Sequence, residues 1–293
     1  MKYLAMGAIA IAAGLCVGCG GGGTSAVPAT SATATASPTP GGGSSGSSNA
    51  YAAAYKALSW GSAVSVSFPS SCEMTYTTTG IPTYHDDYYL APVSSEYPTQ
   101  VAVTPVSDTP MSLVPYTLSS IMGATVTVNI CPVKLTTTTT TNMGAIGYTI
   151  AGEAIFNAYE GDGEATPAMS DNVSYTSTIN GKSETASFID ECNSHPTPLT
   201  AGYTWHHHGV PTCLTQQVDG NGPSHIIGFA LDGFPIYGGR DINGNVISVS
   251  QLDACNGITS ATPEFPNGAY HYVLPIGVTS GRSSLDCYAG AAP

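Results

Sequence analysis

The sequence predicts a mainly β domain, sandwich-like and stapled by disulfides, built from two related halves that each consist of a hairpin followed by a cysteine loop. Three observations carry this. Short runs of Val, Thr, Tyr and Ile alternate with Gly, Pro, Asn and Asp, the composition of strands broken by turns. Six cysteines, Cys72, Cys131, Cys192, Cys213, Cys255 and Cys287, lie in the main body of the chain. A hairpin-like block near Gly147 is echoed near Gly228.

Taken in order, residues 1–19 read as an export signal: Lys2, an apolar run too short to span a bilayer with ordinary flanks, then small residues. Its end, LCVGC, resembles the lipobox of bacterial lipoproteins and places Cys19 as the lipidated residue. It departs from that pattern in having Cys16 where Leu is usual, with Leu15 one place early. Gly20 does not resemble an inner-membrane retention signal, so the expectation is an outer-membrane lipid anchor, with the protein exported to the periplasmic or surface face. Residues 20–50 hold almost no large apolar residue and read as a disordered Gly/Ser/Thr/Pro tether. Residues 51–293 form the folded part, with an N-terminal β region at 51–140 and the duplicated region at 141–293.

Six Lys and Arg stand against 19 Asp and Glu, a formal net charge of −13. That balance argues against nucleic acid and anionic lipid as partners and leaves the anchor as the membrane contact. A protein or small-molecule partner is not specified by the residues. With Cys16 and Cys19 assigned to the signal and the lipid, an even six remain, and three disulfides are expected in an exported chain. Six cysteines allow about 15 pairings; order along the chain suggests Cys72 with Cys131, Cys192 with Cys213, and Cys255 with Cys287.

Tyr51 to Leu58 is the one stretch with helical composition. The stretches 63–68 (AVSVSF) and 124–130 (ATVTVNI) alternate with period two, as half-buried strands do. The threonine run 136–141 reads as a solvated edge strand or a loop. GYTIAGEAIF from Gly147 matches GFALDGFPIY from Gly228, and Asp232-Gly233 predicts a tight two-residue hairpin turn. The echo continues downstream: IDECNSH at Ile189 answers LDACNGI at Leu252, GYTWHHH at Gly202 answers GAYHYV at Gly268, and each half closes on a cysteine. The repeat favours pairing cysteines within each half.

Chemistry concentrates between Cys192 and Cys213, which enclose four of the seven histidines. An extended Trp205-His206-His207-His208 turns His206 and His208 to one face and Trp205 and His207 to the other. Neutral imidazoles are ready metal ligands at pH 7. The candidate site is therefore a metal centre of His195, His206 and His208, with His271 or His225 as a further ligand and zinc (Zn) or copper (Cu) as the ion. His207, on the other face, is expected to be exposed. The competing reading is a structural cluster in which these rings pack with Tyr203, Trp205, Tyr270 and Tyr272. Asp232 and Asp253 read as turn and capping residues. No GxSxG elbow, HExxH helix or phosphate-binding GxxxxGK is present, and Asp241 opens an incomplete calcium loop with Leu252 at its twelfth position.

The block SHIIGFALDGFPIYG, then LDACNG and PNGAYHYVLP, with GIPTYH and DECNSHP upstream, resembles the bacterial YHYH domain family, named for a Tyr-His-Tyr-His tetrapeptide, over roughly Gly80 to Gly290. The resemblance implies a set of positions and no established activity. Its first tetrapeptide falls on Trp205, His206, His207 and His208, and its second on Tyr270, His271, Tyr272 and Val273. A further family histidine is kept at His195 but is Ile258 in the second half, and the early GIP motif has its histidine at His85. The function expected is binding of a transition metal or small ligand; the alternatives are a metal-dependent hydrolase or oxidase using the same histidines, and a purely structural surface module.

Overall fold

The computed structural model describes residues 45–83, 121–159, 167–170, 174–179, 182–187, 189, 192–199 and 202–292. The export signal, Cys19, most of the tether and His85 lie outside these residues. In chain order the elements are α1 (Ser45–Ala57), β1 (Val64–Ser70), β2 (Glu73–Thr78), β3 (Ala124–Asn129), β4 (Thr139–Thr140), β5 (Ala145–Thr149), β6 (Ala154–Phe156), β7 (Ser174–Ile179), β8 (Lys182–Ser187), β9 (Ser194–Leu199), β10 (Gly202–His207), α2 (Thr212–Val218), β11 (Ile226–Ala230), β12 (Pro235–Tyr237), β13 (Gly257–Ser260), β14 (Ala269–Val273) and β15 (Cys287–Tyr288). No helix among the described residues is long and apolar enough to cross a membrane.

An eight-stranded sheet in the order β13-β14-β12-β11-β5-β6-β10-β9 organises the domain. Its middle is the antiparallel pair β11 and β5, with Gly228 opposite Thr149. Outward on either side the same sequence of pairings repeats. Each central strand forms a hairpin with the next, β5 with β6 and β11 with β12. That strand then pairs in parallel with β10 or β14, and an antiparallel strand, β9 or β13, closes the edge. The echo in the sequence is thus a pseudo-twofold axis through the sheet. Equivalent backbone bonds confirm it: Ile150 N–H donates to the Ile227 carbonyl, and Leu231 N–H donates to that of Ile146.

The three-stranded sheet β1-β2-β3 covers the centre of the large sheet, giving the sandwich-like packing. β1 and β3 alternate between half-buried and exposed positions, as their period-two pattern dictates. From β2, Tyr76 sets its ring 4.9 Å from Phe229 and 5.4 Å from Tyr148 and donates its hydroxyl to the Thr149 carbonyl. α1 lies alongside: Tyr51 meets Phe234 edge-on, and Tyr55 donates to the Gly233 carbonyl. Burial of the Tyr51 phenol pushes its pKa up to about 12, so it stays protonated and a donor. These residues belong to one continuous apolar core.

Three disulfides join Cys72 to Cys131, Cys192 to Cys213, and Cys255 to Cys287, the last two starting from equivalent cysteines, Cys192 and Cys255, in the two halves. Three local expectations are corrected. α1 begins at Ser45, inside the stretch assigned to the tether. α2 is a second helix, whose Thr, Cys and Val are weak helix formers; Pro211 starts it and the Cys192–Cys213 bond pins it. The turn at Asp232-Gly233 is a four-residue loop closed by Ala230 N–H on the Phe234 carbonyl, with positive φ at Gly233 but not at Asp232. The threonine run is as expected, an exposed two-residue edge strand at Thr139 and Thr140 paired with β15.

Candidate metal centre

Register builds the site. In the β9–β10 hairpin, His195 stands directly opposite His206, and directly opposed side chains in an antiparallel pair have Cβ atoms about 4.5–5.5 Å apart. His208 lies two residues beyond His206, so the extended chain returns it to the same face. The three rings gather accordingly: the centroids of His195 and His206 are 4.4 Å apart, those of His206 and His208 4.7 Å, and those of His195 and His208 5.2 Å. One potential ligand nitrogen from each lies within 4.8 Å of the others. All three residues are buried, at 0–1% exposure.

The protons can be placed from the neighbours. The Nδ1 of His206 faces the Thr204 carbonyl at 3.2 Å, and that of His208 faces the Asn157 carbonyl at 2.6 Å. A carbonyl oxygen only accepts, so both Nδ1 atoms carry hydrogen and each neutral ring turns an Nε2 lone pair inward. Those two Nε2 atoms are 3.0 Å apart. Two lone pairs at that distance repel unless a cation lies between them or one ring is protonated and donates to the other. His195 Nδ1 similarly faces the Pro196 carbonyl at 3.3 Å. Backbone acceptors behind imidazoles fix ring orientation and tautomer in metal sites. The donor set thus fits a transition ion that prefers nitrogen, such as zinc or copper.

The surrounding shell comes from both halves. Phe156, at the end of β6, stacks on His206 with centroids 3.9 Å apart and planes at 21°. Ser283 donates to the His208 carbonyl at 2.7 Å, and Ser284 donates to the Phe156 carbonyl. Phe156, Asn157, Ser283 and Ser284 were not singled out from the sequence. Phe156 carried a readable signal, since it occupies the place of Tyr237 in the echoed hairpin; the two serines lie in a segment without pattern.

His207 is corrected from exposed to fully buried, with its Nδ1 3.1 Å from the Cys192 carbonyl. Trp205, on the same side of the strand, is also buried at 1% exposure, so both faces of β10 are covered here. Tyr270 and Tyr272 do not join the histidines; they pack edge-on against Phe234 in the other half. His271 is on β14, with β12, β11, β5 and β6 between it and β10. At about 4.8 Å per strand this places it more than 20 Å away. It is the counterpart of His206. Its Nδ1 faces the Ala269 carbonyl at 2.9 Å, its ring lies 4.6 Å from Tyr237, and burial holds its pKa below the usual imidazole value. His225 turns Nδ1 to Glu264 Oε1 at 2.8 Å, and Glu264 Oε2 accepts from Tyr237 at 2.8 Å. Neither His271 nor His225 belongs to the three-histidine group.

Asp253 caps a turn, its Oδ1 accepting from Cys255 and Gly257 N–H, while Oδ2 takes Tyr270 and Lys134. Its Asx turn is followed by Asn256 at φ 63°, matched in the first half by Asn193 at φ 61°. Asp241 likewise closes a local turn, accepting from the N–H groups of Asn243 and Asn245.

No curated protein and no solved structure matches the chain. The family model described as YHYH protein matches residues 125–246 and 242–283, beginning later than the GIPTYH motif and taking in all three triad histidines. With more than half of its length matched, the chain belongs to the YHYH family.

Proposed function

We propose that this chain is an exported, lipid-anchored protein that binds one transition metal ion, zinc or copper, through His195, His206 and His208. The observation that carries the reading is the 3.0 Å approach of two Nε2 atoms whose Nδ1 partners are backbone carbonyls, an arrangement that a bound cation relieves. Binding is favoured over catalysis because all three rings are buried, at 0–1% exposure. In the structural reading the same contact is a hydrogen bond from one protonated ring to its neutral partner, and metal uptake separates the two readings.

The test is a titration of the purified mature protein with zinc and with copper against a chromophoric chelator. One equivalent is expected per chain, falling to none in the His206→Ala/His208→Ala double variant. Equal uptake by both proteins, or by neither, contradicts the reading. Anchoring at Cys19 is checked separately by palmitate labelling, which the proposal expects in the wild type and not in Cys19→Ala.

A further inference from the structure

We infer that the metal is an exchangeable ligand, placed on a scaffold that stands without it, rather than a structural staple of the fold. This rests on the metal-binding reading above and says what kind of site it is.

The pseudo-twofold supplies the comparison inside one molecule. Register pairs His206 with His195 in one half and His271 with Ile258 in the other. It also pairs His207 with Ile155 and Tyr272 with Ile236, so Val273 takes the place of His208. The second half therefore keeps one of three imidazoles and holds Ile258 and Val273 where the ligands His195 and His208 would be.

That half is nonetheless fully formed. Asn256 adopts the same positive φ as Asn193, and Val273 N–H donates to the Asn256 carbonyl as His208 N–H donates to that of Asn193. A disulfide leaves from the corresponding cysteine, Cys255 for Cys192. Where the triad would sit, Val273 packs with Ile247 and Leu252, and Ile258 lies against them in a small apolar cluster separate from the main core. The same backbone frame is thus closed by hydrocarbon in one half and by imidazole in the other. Apolar side chains filling such a space stabilise it without a ligand, whereas buried imidazoles carry a desolvation cost. The histidine half gives up that stabilisation, which is expected of a site kept for what it binds.

The test uses the mature full-length chain in two forms: wild type stripped by a chelator, and the His195→Ile/His208→Val variant, which copies the second half. The stripped wild type is expected to keep its near-UV circular dichroism and a cooperative thermal transition. The variant is expected to form all three disulfides, to bind neither zinc nor copper, and to melt no more than about 4 °C below the stripped wild type, the shift of roughly one kcal/mol in a domain of this size. Loss of the cooperative transition on stripping overturns the inference, as does a variant that melts more than about 10 °C lower, several times that shift. A wild type that never takes up zinc or copper fails at the earlier step and removes the metal reading itself.

Discussion

His206 and His271 occupy the same place in the two halves of the eight-stranded sheet. Each directs Nδ1 to the carbonyl two residues before it, Thr204 or Ala269, and each ring lies against an aromatic ring from the neighbouring parallel strand, Phe156 or Tyr237. Only His206 has two further imidazoles beside it. Metal affinity should therefore divide sharply between the two. His208→Ala or His206→Ala should lower affinity by more than about 100-fold, beyond the loss seen when only an outer partner is removed. His271→Ala should leave it unchanged, as read by competition with a chelator.

Glu153 gives the stability a pH dependence. It is fully buried, accepts from Thr149, and burial raises its carboxyl from 4.5 to about 7. The folded state therefore holds a proton that the unfolded chain releases near pH 4.5. The stability from that proton is complete below about pH 4.5 and is lost as pH rises through about 7. A shift of this size is worth roughly 3 kcal/mol. Glu153→Gln should abolish that slope and be the more stable protein at pH 8, measured by urea denaturation at pH 5 and pH 8.

Asp232 fastens the C-terminal segment to the second hairpin. Only 4% exposed, it accepts from the Tyr272 hydroxyl at 2.6 Å and from Gly290 N–H at 2.8 Å. Asp232→Ala strands two buried donors and should cost about 2–4 kcal/mol. Tyr272→Phe removes one donor to Asp232 and strands only the Ala289 N–H that gives its hydrogen to that hydroxyl, while Asp232 keeps Gly290, so thermal melting should rank wild type above Tyr272→Phe and Tyr272→Phe above Asp232→Ala.

Asn256 should be the least replaceable residue of the second half. At φ 63° it donates from Nδ2 to the carbonyls of Arg282 and Ser284, and its Oδ1 accepts from Arg282 Nε at 2.6 Å. Asn256→Gly keeps the backbone and loses these bonds; Asn256→Ala loses both. The alanine variant should be the less stable of the two by about 1 kcal/mol in equilibrium denaturation, the cost of a left-handed non-glycine residue.

Much of this arrangement could be read from the chain. The mainly β class followed from alternation in β1 and β3, and the echo of Gly147 in Gly228 marked what became a twofold through β5 and β11. The face shared by His206 and His208 followed from strand period alone. What resisted reading was long-range. The placing of His271 and His225 apart from the triad depends on the order of strands in the sheet, which no local pattern encodes. His207 looked exposed because alternation says which face a residue takes but not whether that face is covered. The clasp of Ser283 on His208 joins residues 75 apart in the chain through a backbone carbonyl, which leaves no trace in side-chain type.

The most direct test of the central claim is X-ray absorption at the metal edge of the mature protein loaded with one equivalent of zinc. Coordination by His195, His206 and His208 predicts a first shell containing three imidazole nitrogens at about 2.0–2.1 Å, reduced to two in His208→Ala and unaltered in His271→Ala. A protein that retains no zinc, or a shell unchanged by His208→Ala, would contradict it.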